Sequence, residues 1–72
     1  MSVYQRLRDL REDADKSQEQ IAKIIGTSQS YYAQYENGKR AIPFDRMVEL
    51  AKYYNVSLDY LAGLIDTPRK LK

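Results

Sequence analysis

Cysteine and histidine are both absent from this 72-residue chain. Without cysteine there are no disulfides, and without either residue the common thiolate and imidazole metal sites are excluded. No metal or cofactor is therefore expected. The lack of cysteine fits a reducing compartment. Long apolar runs are missing too. Those present are short, such as Ile24-Ile25 and Leu64-Ile65, far short of a membrane span. No basic leader precedes an apolar run, so no secretory signal is expected. A cytoplasmic protein without membrane attachment follows. Catalysis has little to stand on: there is no imidazole, no thiol, no glycine-rich phosphate loop and no buried-looking acid pair. Strand patterning is also poor.

A chain this short suggests one domain and a modest core. With disulfides and metals removed, self-association is the remaining source of extra stability, so a homodimer is expected. Twelve Lys and Arg against ten Asp and Glu leave a net charge of +2. That leans basic, but on its own it says little about a polyanionic partner.

Helix signals are dense, and punctuation divides the chain into five helices, an all-α fold. Val3, Leu7, Leu10 and Ala14 form one apolar stripe on a helix from about Ser2 to Asp13. Ser17 with Gln20 is a capping-box pattern that opens a second helix. Ile21, Ala22, Ile24 and Ile25 are its expected buried face, and Gly26 ends it. Thr27-Ser28 caps a third helix, placed at 28–37 and stopped by Asn37-Gly38. Two helices with so short a connection cross steeply, so residues 17–37 read as a helix-turn-helix. Pro43 opens a fourth helix with Phe44, Met47, Val48, Ala51 and Tyr54 inward, and Asn55 closes it. Ser57 caps a fifth, with Leu58, Leu61 and Leu64 inward. Residues 1–65 are read as the domain, and residues 66–72 as a short basic tail.

On a wheel at 100° per residue, Gln29, Ser30, Ala33, Gln34 and Asn37 share one sector of the third helix. Tyr32 and Tyr35 lie opposite, and Tyr31 stands at the rim. A glutamine amide both donates and accepts, so it pairs with adenine in a major groove. Small Ser30 and Ala33 allow close approach and contact with a thymine methyl. The helix N-terminus, where Ser28 sits, directs partial positive charge and free N–H groups at phosphate. The same sector also suits the solvated face of an ordinary helix, and the wheel alone does not separate the two. Lys39 and Arg40 are placed to hold phosphate, or simply form a charged turn. Gln18, on the first turn of the second helix, is likewise a phosphate contact or an exposed polar residue. Ala22 and Gly26 are read as structural, because the second and third helices approach closely there. Most of the seven tyrosines stand at core spacing. The carboxylates Asp9, Glu12, Asp13, Asp15 and Glu19 follow no metal-loop spacing and read as a solvated face.

Several segments, taken together, resemble the Cro/phage-repressor (XRE) helix-turn-helix family. These are Ser17-Gln18-Glu19-Gln20-Ile21-Ala22, Gly26, Ser28-Gln29-Ser30, Tyr35-Glu36-Asn37-Gly38-Lys39-Arg40 and Leu50 to Gly63. The resemblance runs from about Leu7 to Leu64. It implies a compact five-helix, lambda-repressor-like DNA-binding domain that docks on a double-stranded operator, usually as a dimer, and acts as a transcriptional regulator such as a repressor. It further implies that Gln18 contacts phosphate, that Gln29, Ser30 and Gln34 face bases, and that Tyr31, Asn37, Lys39 and Arg40 lie near the backbone or groove wall. Ala33 joins the base-facing set and Ser28 the backbone set. Arg11 and Glu36 occupy the places of a structural ion pair in that family, and Tyr32 and Tyr35 are structural anchors.

Two residues depart from the family pattern. Asp15 and Lys16 stand where a glycine and an apolar residue usually precede the second helix. Lys16 offers only its methylene stem as a staple, so a looser first junction is expected. No sensing domain is visible and no small-molecule ligand is expected. Leu64, Ile65 and Leu71 form the candidate dimer patch. The rival reading is a protein-interaction module, such as an antitoxin-like or adaptor protein.

Overall fold

The computed structural model describes residues 2–68 as five helices: Val3–Asp13 (α1), Gln18–Ile25 (α2), Gln29–Asn37 (α3), Phe44–Tyr54 (α4) and Leu58–Leu61 (α5). No strand occurs among the described residues. The basic part of the expected tail, and Leu71 of the expected dimer patch, lie outside them.

Each boundary has a local cause. Ser2, Ser17, Ser28 and Ser57 each cap a helix by accepting a backbone N–H three residues on. At Ser17 the capping box is complete: the Gln20 N–H donates to Ser17 Oγ at 3.1 Å, and the Ser17 N–H donates to Gln20 Oε1 at 2.8 Å. Pro43, expected at the start of α4, is its N-cap, without a side-chain cap bond. Of Thr27-Ser28, expected to cap the third helix, Ser28 is the N-cap.

The helix ends share one solution, a left-handed residue that lets the chain turn back and satisfy the last carbonyls. Gly26 sits at φ 79° and Asn55 at φ 56°. Asp15 does the same at φ 57°, where most side chains are strained. Its N–H reaches Glu12 O at 3.0 Å, and the Lys16 N–H reaches Arg11 O at 3.1 Å. The junction expected to be loose is closed further by Arg11, whose Nη1 donates to Lys16 O at 2.9 Å.

Leu7, Ile21, Ile25, Tyr32, Leu50 and Leu61 are the largest fully buried side chains. They come from all five helices, so the core is one cluster. Burying such residues stabilises the fold by about 1.5–3 kcal/mol each. The sequence-based inward faces need several corrections. Ile24 is 41% exposed, because it lies 60° from Ile21 on the side away from Ile25 and Ala22. Phe44 is 73% exposed, being the first residue of α4 at the edge of its apolar face. Leu64 is 76% exposed, because α5 ends at Leu61 and Gly63 redirects the chain. Ala14 lies past the last residue of α1 and is exposed. Leu50, absent from the expected face of α4, is fully buried.

Arg6 is a buried cation that the apolar patterning did not reveal. It is 3% exposed, and its Nη1 donates to Tyr60 O at 3.0 Å and Ile65 O at 3.2 Å. Its guanidinium also stacks 3.9 Å from the Tyr60 ring centroid. These contacts tie α1 to the segment around α5.

Candidate nucleic-acid interface

The turn 26–28 joins α2 to α3, and these two helices pack together more extensively than any other pair. Ala22 of α2 is buried, where a larger side chain would force its neighbours apart. Gly26 is constrained twice: its φ is 79°, and a Cβ there would stand 3.0 Å from Arg46 Nη1. That guanidinium donates to the Ile25 carbonyl, so α4 caps the end of α2. No local pattern announces this bond, because its partners are 21 residues apart.

The back of α3 is anchored. Tyr32 is fully buried and Tyr35 nearly so, with their rings edge-on at 6.4 Å. Among the described residues the buried Tyr32 hydroxyl has no hydrogen-bond partner. Burial, followed by the neighbouring Glu36 carboxylate, pushes that phenol well above its ordinary range. Tyr32 therefore acts as a neutral packing group.

Glu36, also on α3, has a fully buried carboxylate. Arg11 Nε donates to its Oε2 at 2.7 Å, and Arg11 Nη2 to its Oε1 at 3.2 Å. Gln18 Nε2 adds a bond to Oε1 at 3.3 Å, and Arg8 Nε stands 3.8 Å from the same oxygen. Burial alone would raise this carboxyl, but the hydrogen bonds from Arg11 and Gln18 outweigh it and hold the group below its ordinary range. The Arg11 guanidinium is correspondingly raised, chiefly by its bond to Glu36. Thus α1, α2 and α3 meet at one carboxylate.

The front of α3 is open. Gln29, Ser30 and Asn37 are exposed, and Ala33 and Gln34 are half-buried. Tyr31 is 47% exposed at the rim. The five residues of the expected sector are thus all reachable, and none is acidic. The Ser28 hydroxyl oxygen accepts the Tyr31 N–H at 3.1 Å, which leaves its own O–H to donate outward. After Asn37 the chain reverses at Gly38, φ 80°, where a Cβ would meet the Tyr4 ring at 3.3 Å. The Asn37 side chain accepts the Lys39 N–H at 3.1 Å. Lys39 and Arg40 are exposed beside the end of α3. Gln18 is half-buried at the start of α2, with its amide oriented by Glu36. The structure therefore brings the expected base-facing residues onto one face, with most of the expected backbone-facing residues around it. The arrangement offers amides and hydroxyls at its centre and two cations at its margin, a distribution suited to base edges flanked by phosphate.

A model of the helix-turn-helix family matches residues 7–61. An uncharacterised HTH-type transcriptional regulator of Bacillus subtilis, YobD, is 45% identical over 64 residues, spanning 89% of this chain and 57% of the relative. The transcriptional repressor RstR of the cryptic phage CTXphi in Vibrio cholerae is 34% identical over 62 residues, spanning 86% of this chain and 56% of that protein. The chain thus spans little more than half the length of these relatives. Among solved structures, a transcriptional regulator from Listeria innocua superposes with a TM-score of 0.84 at 23% identity, over 89% of this chain and 60% of the other. The P22 c2 repressor, solved with a synthetic operator, superposes with a TM-score of 0.79 at 24% identity, over 85% of this chain and 92% of the other. At such identities these two likenesses speak for the fold.

Proposed function

Because this chain belongs to the Cro/phage-repressor helix-turn-helix family, we propose that it is a sequence-specific DNA-binding transcriptional regulator, acting as a repressor. The observation that carries this reading is the two-sided construction of α3. Its amide-bearing face is accessible while Tyr32, Tyr35 and Glu36 hold it from behind. A helix anchored this way enters a major groove without reorganising, so little ordering cost accompanies binding.

In this reading Gln29, Ser30, Ala33 and Gln34 face base edges. Gln18, Ser28, Tyr31, Asn37, Lys39 and Arg40 line the flanks against sugar and phosphate. The role is one of binding and calls for no catalytic group. Among the described residues no helix is long and apolar enough to cross a membrane, which is compatible with work in the cytoplasm. Two copies related by a two-fold axis would set their α3 helices about 34 Å apart, one helical turn of duplex. Exposed Leu64 and half-buried Ile65 supply an apolar patch for that contact.

Selection of bound duplexes from a random pool tests the proposal. An enriched site with two inverted half-sites one helical turn apart is the expected result. Binding that is weak and indifferent to sequence at physiological salt would remove it, most clearly if a protein partner co-purified.

A further inference from the structure

Arg40 does not extend away from α3 as a free cation. The backbone N–H groups of Lys39 and Arg40 both return to the Gln34 carbonyl, at 3.0 and 3.2 Å. This fold-back lays the Arg40 side chain across the last turns of the helix. Its Nε donates to Gln34 Oε1 at 3.3 Å, and its guanidinium carbon stands 4.3 Å from the Tyr31 ring centroid. A guanidinium has donors and no acceptor, so only the amide oxygen of Gln34 can face it. The contact therefore settles which end of the amide points where. Stacking on Tyr31 holds the guanidinium plane in turn.

We infer that Arg40 and Gln34 read one base pair as a single unit, with Arg40 a specificity-determining residue rather than a phosphate clamp. The inference rests on the proposed reading of DNA by α3 and moves Arg40 from the phosphate flank to the base-reading set. With Nε engaged, about four guanidinium N–H groups remain free alongside the two of the Gln34 amide. The one acceptor in the unit, Gln34 Oε1, already takes the Arg40 N–H on one of its two lone pairs. The unit thus presents a surface dominated by donors. Guanine places two acceptors, N7 and O6, side by side in the major groove, whereas adenine sets an amino donor beside N7. The base pair facing this unit is therefore G·C.

The test measures Kd on the full chain for a selected duplex and for its single-base-pair substitutions. The proteins compared are the wild type, Arg40→Ala, Arg40→Lys, Gln34→Ala, the Arg40→Ala/Gln34→Ala double variant and Lys39→Ala. The wild type is expected to prefer G·C at one pair by about tenfold or more. Arg40→Ala, Arg40→Lys and Gln34→Ala should each lose that preference at the same pair, and the double variant should lose little more than either single one. Lys39→Ala should keep it. Arg40→Lys is decisive, because it retains the charge and loses the planar fork. Three results would overturn the inference while leaving base reading by α3 intact: Arg40 variants that weaken every duplex by the same factor, a loss at a different pair from that of Gln34→Ala, or a preference for A·T there. If Gln34→Ala leaves every preference unchanged, Gln34 reads no base and the inference fails with that assignment.

Discussion

Arg11 grips Glu36 with two parallel bonds, Nε to Oε2 at 2.7 Å and Nη2 to Oε1 at 3.2 Å, across the contact between α1 and α3. The same carboxylate takes a bond from Gln18 on α2. Removing the cation leaves a buried charge with only weaker partners, so Arg11→Ala should lower the unfolding free energy by about 3 kcal/mol. Urea denaturation at neutral pH measures this, and a loss below about 0.5 kcal/mol would show the pair to be dispensable.

The pH dependence of stability follows from the same pair. Hydrogen bonding holds the folded Glu36 carboxyl below its unfolded value of 4.5. Its stabilisation is therefore complete above the unfolded value and is lost as pH falls through the folded one. Urea midpoints should drop as the solution is acidified below about pH 4.5. Arg11→Ala removes the largest influence that lowers this carboxyl, so the loss of stability on acidification should be smaller in that variant.

Asp15 holds a left-handed backbone, φ 57°, at the end of α1. Asp15→Gly should relieve that strain and stabilise the fold by about 0.5–1 kcal/mol, visible as a higher Tm. A lower Tm would show that the Asp15 side chain contributes more than its backbone costs.

Gly38 combines a φ of 80° with the Tyr4 ring 3.3 Å from a hypothetical Cβ. Gly38→Ala should destabilise by about 1–2 kcal/mol. Because Lys39 and Arg40 follow directly, it should also weaken DNA binding measured on still-folded protein. Tyr4→Ala in the same background should recover little stability, since the backbone strain persists.

Two surface variants separate base reading from charge. Gln29→Ala should cost about 1–3 kcal/mol at one base pair and relax preference there. Lys39→Ala should weaken binding to all duplexes alike and reduce the slope of log K against log salt by about one. Unchanged operator preference in Gln29→Ala would remove Gln29 from the base-reading set.

The local devices were legible in the amino-acid order because each depends on neighbours three or four residues apart. Ser17 with Gln20, the caps Ser28 and Ser57, and Gly26 are of this kind, and so is the division of α3 into a tyrosine face and an amide face. Those same short-range rules misplaced Ile24, Phe44 and Leu64, since a wheel gives an angle but not which neighbouring element covers it. Tertiary structure alone decided that Arg6 is buried on Tyr60, that Arg46 caps Ile25, and that Arg40 folds back onto Gln34 and Tyr31. The sequence determined the helices and their faces, because capping and periodicity act within a turn or two of the chain. The partners of the long cations were settled only by folding, because a flexible side chain finds its acceptor wherever packing exposes a carbonyl or an amide.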